Sequence, residues 1–188
     1  MNPEPVYIDL SRYRNPEGFR GRPAWFVQLW WLVQDWLVRP SPQFMYGWRR
    51  FWWQRFGALL GENVMIRPSA RVTYPWKVRI GDRSWIGDNT ELYSLGEIEI
   101  GRDAVISQMS YLCAATHDHT RPDFPLIAGP IRIGDQAWLA AGCFIAPGVS
   151  IGRGAIVGAR SVVLRDVPEA TIWAGNPARK LRDRADAT

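Results

Sequence analysis

Residues 80–97 read IGDRSW-IGDNTE-LYSLGE, three hexads that each open on an aliphatic residue (Ile80, Ile86, Leu92). A helix repeats every 3.6 residues and a simple strand every two, so neither accounts for a period of six. The period continues outward in both directions. Upstream, LGENVM, IRPSAR and VTYPWK start at Leu60, followed by an extra pair, Val78 and Arg79. Downstream comes a second pair, Ile98 and Glu99, and then IGRDAV, ISQMSY and LCAATH over 100–117. An excursion from Asp118 to Pro130 and a third pair, Ile131 and Arg132, interrupt the pattern. It resumes as IGDQAW, LAAGCF, IAPGVS, IGRGAI, VGARSV and VLRDVP over 133–168.

Grouped in threes, the hexads form coils that start at Leu60, Ile80, Ile100, Ile133 and Ile151. A chain that turns three times per coil, with a short flat strand on each side, satisfies this spacing. One aliphatic side chain per hexad points inward and stacks on its counterpart a coil away, each burial worth ~1.5–3 kcal/mol. The Gly that often follows marks a position with little room or with positive φ. A single Ile-Gly would mean only a turn beside a strand, but the register held through five coils predicts a continuous core. The expected fold is all-β: a parallel β-helix of about five coils over 60–168, with a protruding loop at 118–130.

The flanks differ. Residues 1–59 are aromatic and basic, holding most of the 11 Trp. Two helices are predicted over 24–38 and 43–56, split by Arg39-Pro40-Ser41-Pro42, which cannot continue a helix. Trp25, Leu29, Leu32 and Trp36 form one helical stripe and Trp48, Trp52 and Phe56 another. Such stripes pack against the open end of the β-helix or, flanked by Arg12, Arg14, Arg20, Arg22, Arg39, Arg49 and Arg50, lie on a membrane surface. Residues 169–188 form an exit segment and a tail that is a short basic helix or disordered from Lys180 onward.

Composition narrows the function. The net charge of +5 sits at the two ends, because residues 61–175 carry eleven bases against twelve acids. No basic stripe marks the body for nucleic acid. Cys113 and Cys143 have no metal-ligand spacing and suit a reducing cytoplasm. The N-terminus lacks a secretory pattern, and the apolar run 24–38 is too short and polar to span a bilayer.

SPQFMYGWRRFWWQRFGALLGENV, YPWKVRIGDRSWIGD, ISQMSYLCAATHDHTRPDFPLI and GARSVVLRDVPEATIWAGNPAR together resemble the hexapeptide-repeat acetyltransferases. The branch they look most like is the colanic acid biosynthesis acetyltransferases, related to maltose, galactoside and nodulation-factor O-acetyltransferases. The resemblance implies a left-handed coil, a homotrimer, and acetyl-CoA in a cleft between subunits, with no metal. It also implies direct acetyl transfer to a sugar hydroxyl, with a lipid-linked exopolysaccharide precursor at the inner face of the membrane as the candidate acceptor.

By that resemblance His117, where the coil breaks, is the catalytic base. An alcohol attacking a thioester needs its proton removed, and an imidazole with pKa near ~6.5 suits the task. His119 and Asp118 follow it, Asp118 as a group that orients the site. Trp138 matches an aromatic beside the acceptor and the coenzyme arm. Asn89 and Glu91 are alternative acceptor contacts, left open by the two-residue insertions. For the coenzyme, Ala141, Gly142 and Ala159 offer close backbone approach, and Arg160, Arg165, Arg179 and Arg182 offer phosphate partners. Relatives often carry Ser and Thr hydroxyls where this chain has Ala141 and Leu164. Cys113 reads as a small buried hydrophobe rather than a nucleophile. Two other readings remain: N-acyl transfer to an amine, and a γ-carbonic-anhydrase-like protein. The latter needs three His ligands, and the chain has two His.

Overall fold

A computed structural model describes residues 6–185 of the chain. It is a three-sided parallel β-solenoid. The first face stacks Leu59–Leu60, Val78–Ile80, Ile98–Ile100, Ile131–Ile133 and Ser150–Ile151. Leu60, Ile80, Ile100, Ile133 and Ile151 fall in one register column. On the second face Ile66, Ile86, Ile106, Leu139, Val157 and Trp173 form the equivalent column, and on the third Val72, Leu92, Leu112, Ile145 and Val163. Apart from half-buried Leu60, all of these are buried. The hexad's leading residue is therefore the stacking residue, as its spacing requires.

The extra pairs have a definite place. They lengthen the first-face strands so that Val78, Ile98 and Ile131 stack as a further buried column. Their partners Arg79, Glu99 and Arg132 face out and alternate in charge, with Glu99 3.9 Å from Arg79 and 3.6 Å from Arg132.

Two features refine the repeat. The fifth residue of the hexad is also buried: Ser84, Ala104 and Ala137 line one corner, and Thr90, Ser110, Cys143 and Ser161 the next. The buried hydroxyls are bonded to backbone; Ser84 Oγ donates to Gly101 O (2.6 Å) and accepts from Ala104 N (3.0 Å). The Gly at position two is there for room. A Cβ on Gly81 would lie 2.6 Å from Arg102 N in the next coil. Positive φ belongs instead to position four, at Arg83, Asp103, Gln136 and Gly154 on one corner and Asn89, Met109, Gly142 and Arg160 on another.

The solenoid also runs further than its hexads. Val167 bridges to Ile151, and Thr171–Gly175 adds a parallel strand to Ile156–Val157, giving a sixth, partial turn beyond Pro168. Ala178–Asp183 then folds back antiparallel on Thr171–Gly175. The basic residues Arg179, Lys180 and Arg182 therefore lie on a strand, not on the helix or loose tail expected from Lys180 onward. Residues 186–188 fall outside the described ones.

At the other end, helix α1 (Ala24–Val33) continues as a π-helical turn, Gln34–Val38, and helix α2 spans Tyr46–Arg55. They cap the first coil, but not through the expected stripe on α1. Val27, Trp30, Val33, Gln34 and Val38 are buried, whereas Trp25, Leu29, Leu32 and Trp36 face out. The reason is that the first coil ends in unpaired backbone groups, which need polar-tipped partners. Trp30 Nε1 donates to Val72 O (3.0 Å), Gln34 Oε1 accepts from Val72 N (2.8 Å), and Trp31 Nε1 donates to Thr73 O (3.3 Å). From α2, buried Arg49 donates through Nε to Ile66 O (2.6 Å) and through its other nitrogens to Ser41 Oγ, Pro42 O and Gln43 O.

Candidate functional site

The excursion is a hairpin rather than a loose loop. Ala115–His117 pairs antiparallel with Leu126–Ala128, placing His117 opposite Leu126 at the hairpin's outer end. Three contacts fix its imidazole. Nδ1 lies 2.8 Å from Phe124 O, the ring stacks on Phe124 (centroids 4.4 Å, planes 3° apart), and Tyr13 tilts against it at 5.9 Å. A carbonyl oxygen only accepts, so Nδ1 carries a hydrogen, and in the neutral ring the lone pair is left on Nε2. Phe124 holds its carbonyl in place at a left-handed φ of 48°.

Tyr13 escaped the sequence reading. It lies more than a hundred residues from His117, and no spacing rule connects them. The N-terminal arm reaches the site because Asp9 N donates to Pro122 O (2.7 Å). The Phe124 carbonyl left no sequence signal either, because it is a backbone group.

Asp118 does not reach the imidazole in the described bonds. Its Oδ1 accepts from Thr120 N (3.0 Å) and Thr120 Oγ1 (2.6 Å), and those bonds hold its pKa below the usual carboxylate range. It shapes the loop. His119 is exposed beside it. Cys113 Sγ donates to Ala115 O (3.2 Å), and burial raises its pKa, so the thiol stays protonated and poorly nucleophilic.

Below the hairpin, the third face displays an aromatic ladder. Tyr93 stacks on Tyr111, and Tyr111 on Phe144, each at 5.9 Å. Glu91 flanks the ladder, paired with Tyr111 across the strands. Burial raises its pKa against the pull of Arg71, 3.8 Å away. Asn89 is exposed two residues earlier, at a left-handed turn position (φ 53°) that Asn tolerates well. So Glu91 is on the ladder face and Asn89 on its corner.

The coenzyme candidates gather at that same corner. Arg160 N donates to Ala141 O (2.9 Å), and Arg160 Cδ lies 3.1 Å from where a Cβ on Gly142 would sit. Gly158, beside Ala159, abuts Ala174, which pairs with Arg179 on the closing strand. Ala141, Gly142, Ala159, Arg160 and Arg179 thus line one edge. Arg182 pairs with Ile172 further along the strand, and Arg165 instead lies 5.8 Å from the Trp173 ring.

Trp138 stands on the second face, not with His117. Its Nε1 donates to Ser107 Oγ (3.0 Å). With Trp85, Val105, Met65 and Gln108 it lines an apolar groove of about 820 Å³. The groove ends at Asp88, which accepts from Arg67 and Ser69 at 2.7 Å each. Burial would raise the Asp88 pKa, but these two donors outweigh it and hold the carboxylate ionised. Among the described residues, no three His, Cys, Asp or Glu side chains gather as metal ligands.

Comparison with known proteins fits this geometry. Residues 130–165 match the bacterial transferase hexapeptide family (six repeats), and residues 77–108 the hexapeptide repeat of succinyl-transferase. The chain is 52% identical over 178 residues to WcaF of Escherichia coli (strain K12), named as a colanic acid biosynthesis acetyltransferase, covering 95% of this chain and 98% of that one. A hexapeptide-repeat acetyltransferase of Vibrio cholerae O1 biovar eltor, solved with acetyl coenzyme A, superposes with a TM-score of 0.75 at 27% identity, covering 90% of this chain and 89% of that one. A galactoside acetyltransferase in complex with coenzyme A gives 0.79 at 25% identity, covering 91% and 84%.

Proposed function

The chain belongs to the hexapeptide-repeat acetyltransferases, and from that premise we propose that it moves an acetyl group from acetyl-CoA to a sugar hydroxyl, with His117 as general base. The observation that carries this reading is the imidazole whose Nδ1–H is tied to the Phe124 carbonyl, leaving Nε2 free to take a proton. The acceptor O–H approaches Nε2 and gives up its proton as the oxygen attacks the thioester carbonyl. The tetrahedral intermediate expels the coenzyme A thiolate, which takes the proton back from the imidazolium. The products are a sugar ester and a free thiol, and His117 is neutral again.

The coenzyme arm fits the corner at Ala141, Gly142, Ala159 and Arg160, with Arg179, Arg182 and Arg165 as partners for the nucleotide phosphates. Glu91 and Asn89 are the candidate contacts for the acceptor, and Asp118 supports the loop that holds His117. Trp138 is on another face, so a complete site draws it from a neighbouring subunit of a homotrimer. A sugar acceptor is supported by the polysaccharide role in the name of the E. coli relative and by the galactoside relative. A lipid-linked exopolysaccharide precursor in the cytoplasm suits both.

The test is thiol release from acetyl-CoA across a panel of sugars, amino sugars and oligosaccharides. His117→Ala should lower kcat by ~10²–10⁴. Equal activity of the two proteins removes His117 as base, and acetylation confined to amino sugars moves the reading to N-acyl transfer.

A further inference from the structure

The cap helices have two apolar sides, and only one is used. Trp25, Leu29, Leu32 and Trp36 run along the outer side of α1 and its π-helical turn, with Trp25 67% and Trp36 75% exposed. The strip continues onto α2: Trp48 Nε1 donates to the neighbouring Leu37 O (2.8 Å), and the Trp48 and Phe51 rings stack at 6.4 Å. Phe44, between the helices, is 79% exposed. An uncovered surface of this many contiguous large apolar side chains marks a contact site rather than ordinary scatter.

The charge around it selects the occupant. Arg22 precedes α1, Arg39 follows the π-helical turn, and Arg50 and Arg55 lie on α2. The only carboxylate between Ala24 and Arg55 is Asp35, already paired with Arg39 at 3.1 Å and near Arg71 at 3.6 Å. A Trp-rich apolar strip bordered by arginines matches a bilayer interface, where indoles sit at headgroup depth and arginines meet lipid phosphates. Among the described residues no helix is long and apolar enough to cross a membrane, so contact of this kind lies in the plane. We propose that the outer face of the cap helices docks on an anionic phospholipid surface, holding the solenoid end-on to the membrane. This stands independently of the identity of the base and the acceptor.

Flotation of the full chain with vesicles tests it. Vesicles of phosphatidylethanolamine with phosphatidylglycerol should carry the protein up, and phosphatidylcholine vesicles should carry much less. The variant Trp25→Ser/Leu29→Gln/Leu32→Gln/Trp36→Ser changes only exposed positions, and it should stay at the bottom with an unaltered melting temperature and unaltered acetyl transfer to a soluble acceptor. Arg22→Gln/Arg55→Gln should weaken binding to the anionic vesicles by roughly fivefold per charge removed and leave the phosphatidylcholine signal alone. Leu181→Gln, exposed on the opposite end, should float as wild type. The proposal fails if wild type does not float with anionic vesicles, or if the quadruple variant floats equally well. It also fails if wild type has twice the solution mass of that variant, which would assign the strip to a second copy of the chain.

Discussion

Replacing Gly81 with Ala should be far more damaging than the same change at Gly148, although neither removes a side-chain atom. A Cβ at position 81 would meet Arg102 N at 2.6 Å, Gly101 C at 2.8 Å and Arg102 Cα at 3.0 Å, all of them backbone. Reaching ordinary contact near 3.5 Å requires the coils to part by about 0.9 Å. The bond from Gly81 N to Ile100 O, now 2.7 Å, would then stretch past any useful length. Losing it and leaving two interior groups unpaired costs ~1–3 kcal/mol, and the residual overpacking a further ~1–3 kcal/mol. The sum, ~2–6 kcal/mol, is a large part of the ~5–15 kcal/mol that holds a typical domain together. Gly148 has open space around its Cβ direction and φ of 81°, so Ala there incurs only left-handed strain of ~1–2 kcal/mol. Gly47 sits in α2 with open space and an ordinary φ, and Ala there should add ~0.5–1 kcal/mol of stability. Urea unfolding followed by tryptophan fluorescence, at one fixed protein concentration, measures all three. If Gly81→Ala falls within 1 kcal/mol of Gly148→Ala, the glycines of this repeat are not there to let the coils approach.

Two further outcomes follow from the site. Burial raises the Glu91 pKa above its unfolded value, so its contribution to stability is full at acid pH and is lost as pH rises through the folded pKa. Glu91→Gln should therefore gain on wild type in thermal melts between pH 4 and pH 7, and a constant offset across that range would refute the assignment. If His117 and Trp138 meet only across a subunit boundary, equal co-assembly of His117→Ala and Trp138→Ala chains should restore about a quarter of wild-type sites by random mixing in a trimer; activity no higher than that of either parent would place both residues in one subunit's site.

What the sequence disclosed and what it hid follow from how strongly each position contrasts with its neighbours. The first hexad position is Ile, Leu or Val in every repeat, so the stacked columns, the coil starts and the break at His117 were legible. In the first two hexads of each coil the fifth position holds Ser, Ala, Thr, Cys or Val, and its burial has no apolar signature because the hydroxyls are satisfied by backbone carbonyls. On α1 the apolar residues surround the helix, so periodicity alone chose a stripe that turned out to face solvent. The face that docks was selected by Trp30 and Gln34, whose polar tips answer the open edge at Val72. The closing strand Ala178–Asp183 shows no alternation, since Ala178 alone among its residues is buried.

The position of His117 also has a reason in the solenoid itself. Within regular coils, backbone carbonyls are consumed by the ladder: Ile100 O, Ile106 O and Leu139 O each accept from the adjoining coil at 2.7–2.9 Å. A histidine on such a face has few unclaimed backbone acceptors with which to fix its tautomer, and a neighbouring carboxylate would add charge beside the proposed base. The interruption removes that constraint. In the excursion, Phe124 sits in a tight turn whose left-handed backbone leaves its carbonyl outside the described ladder bonds and directed at Nδ1. Breaking the repeat is therefore what supplies a neutral, oriented acceptor, and the residue that ends the last hexad before the break is the one placed to use it.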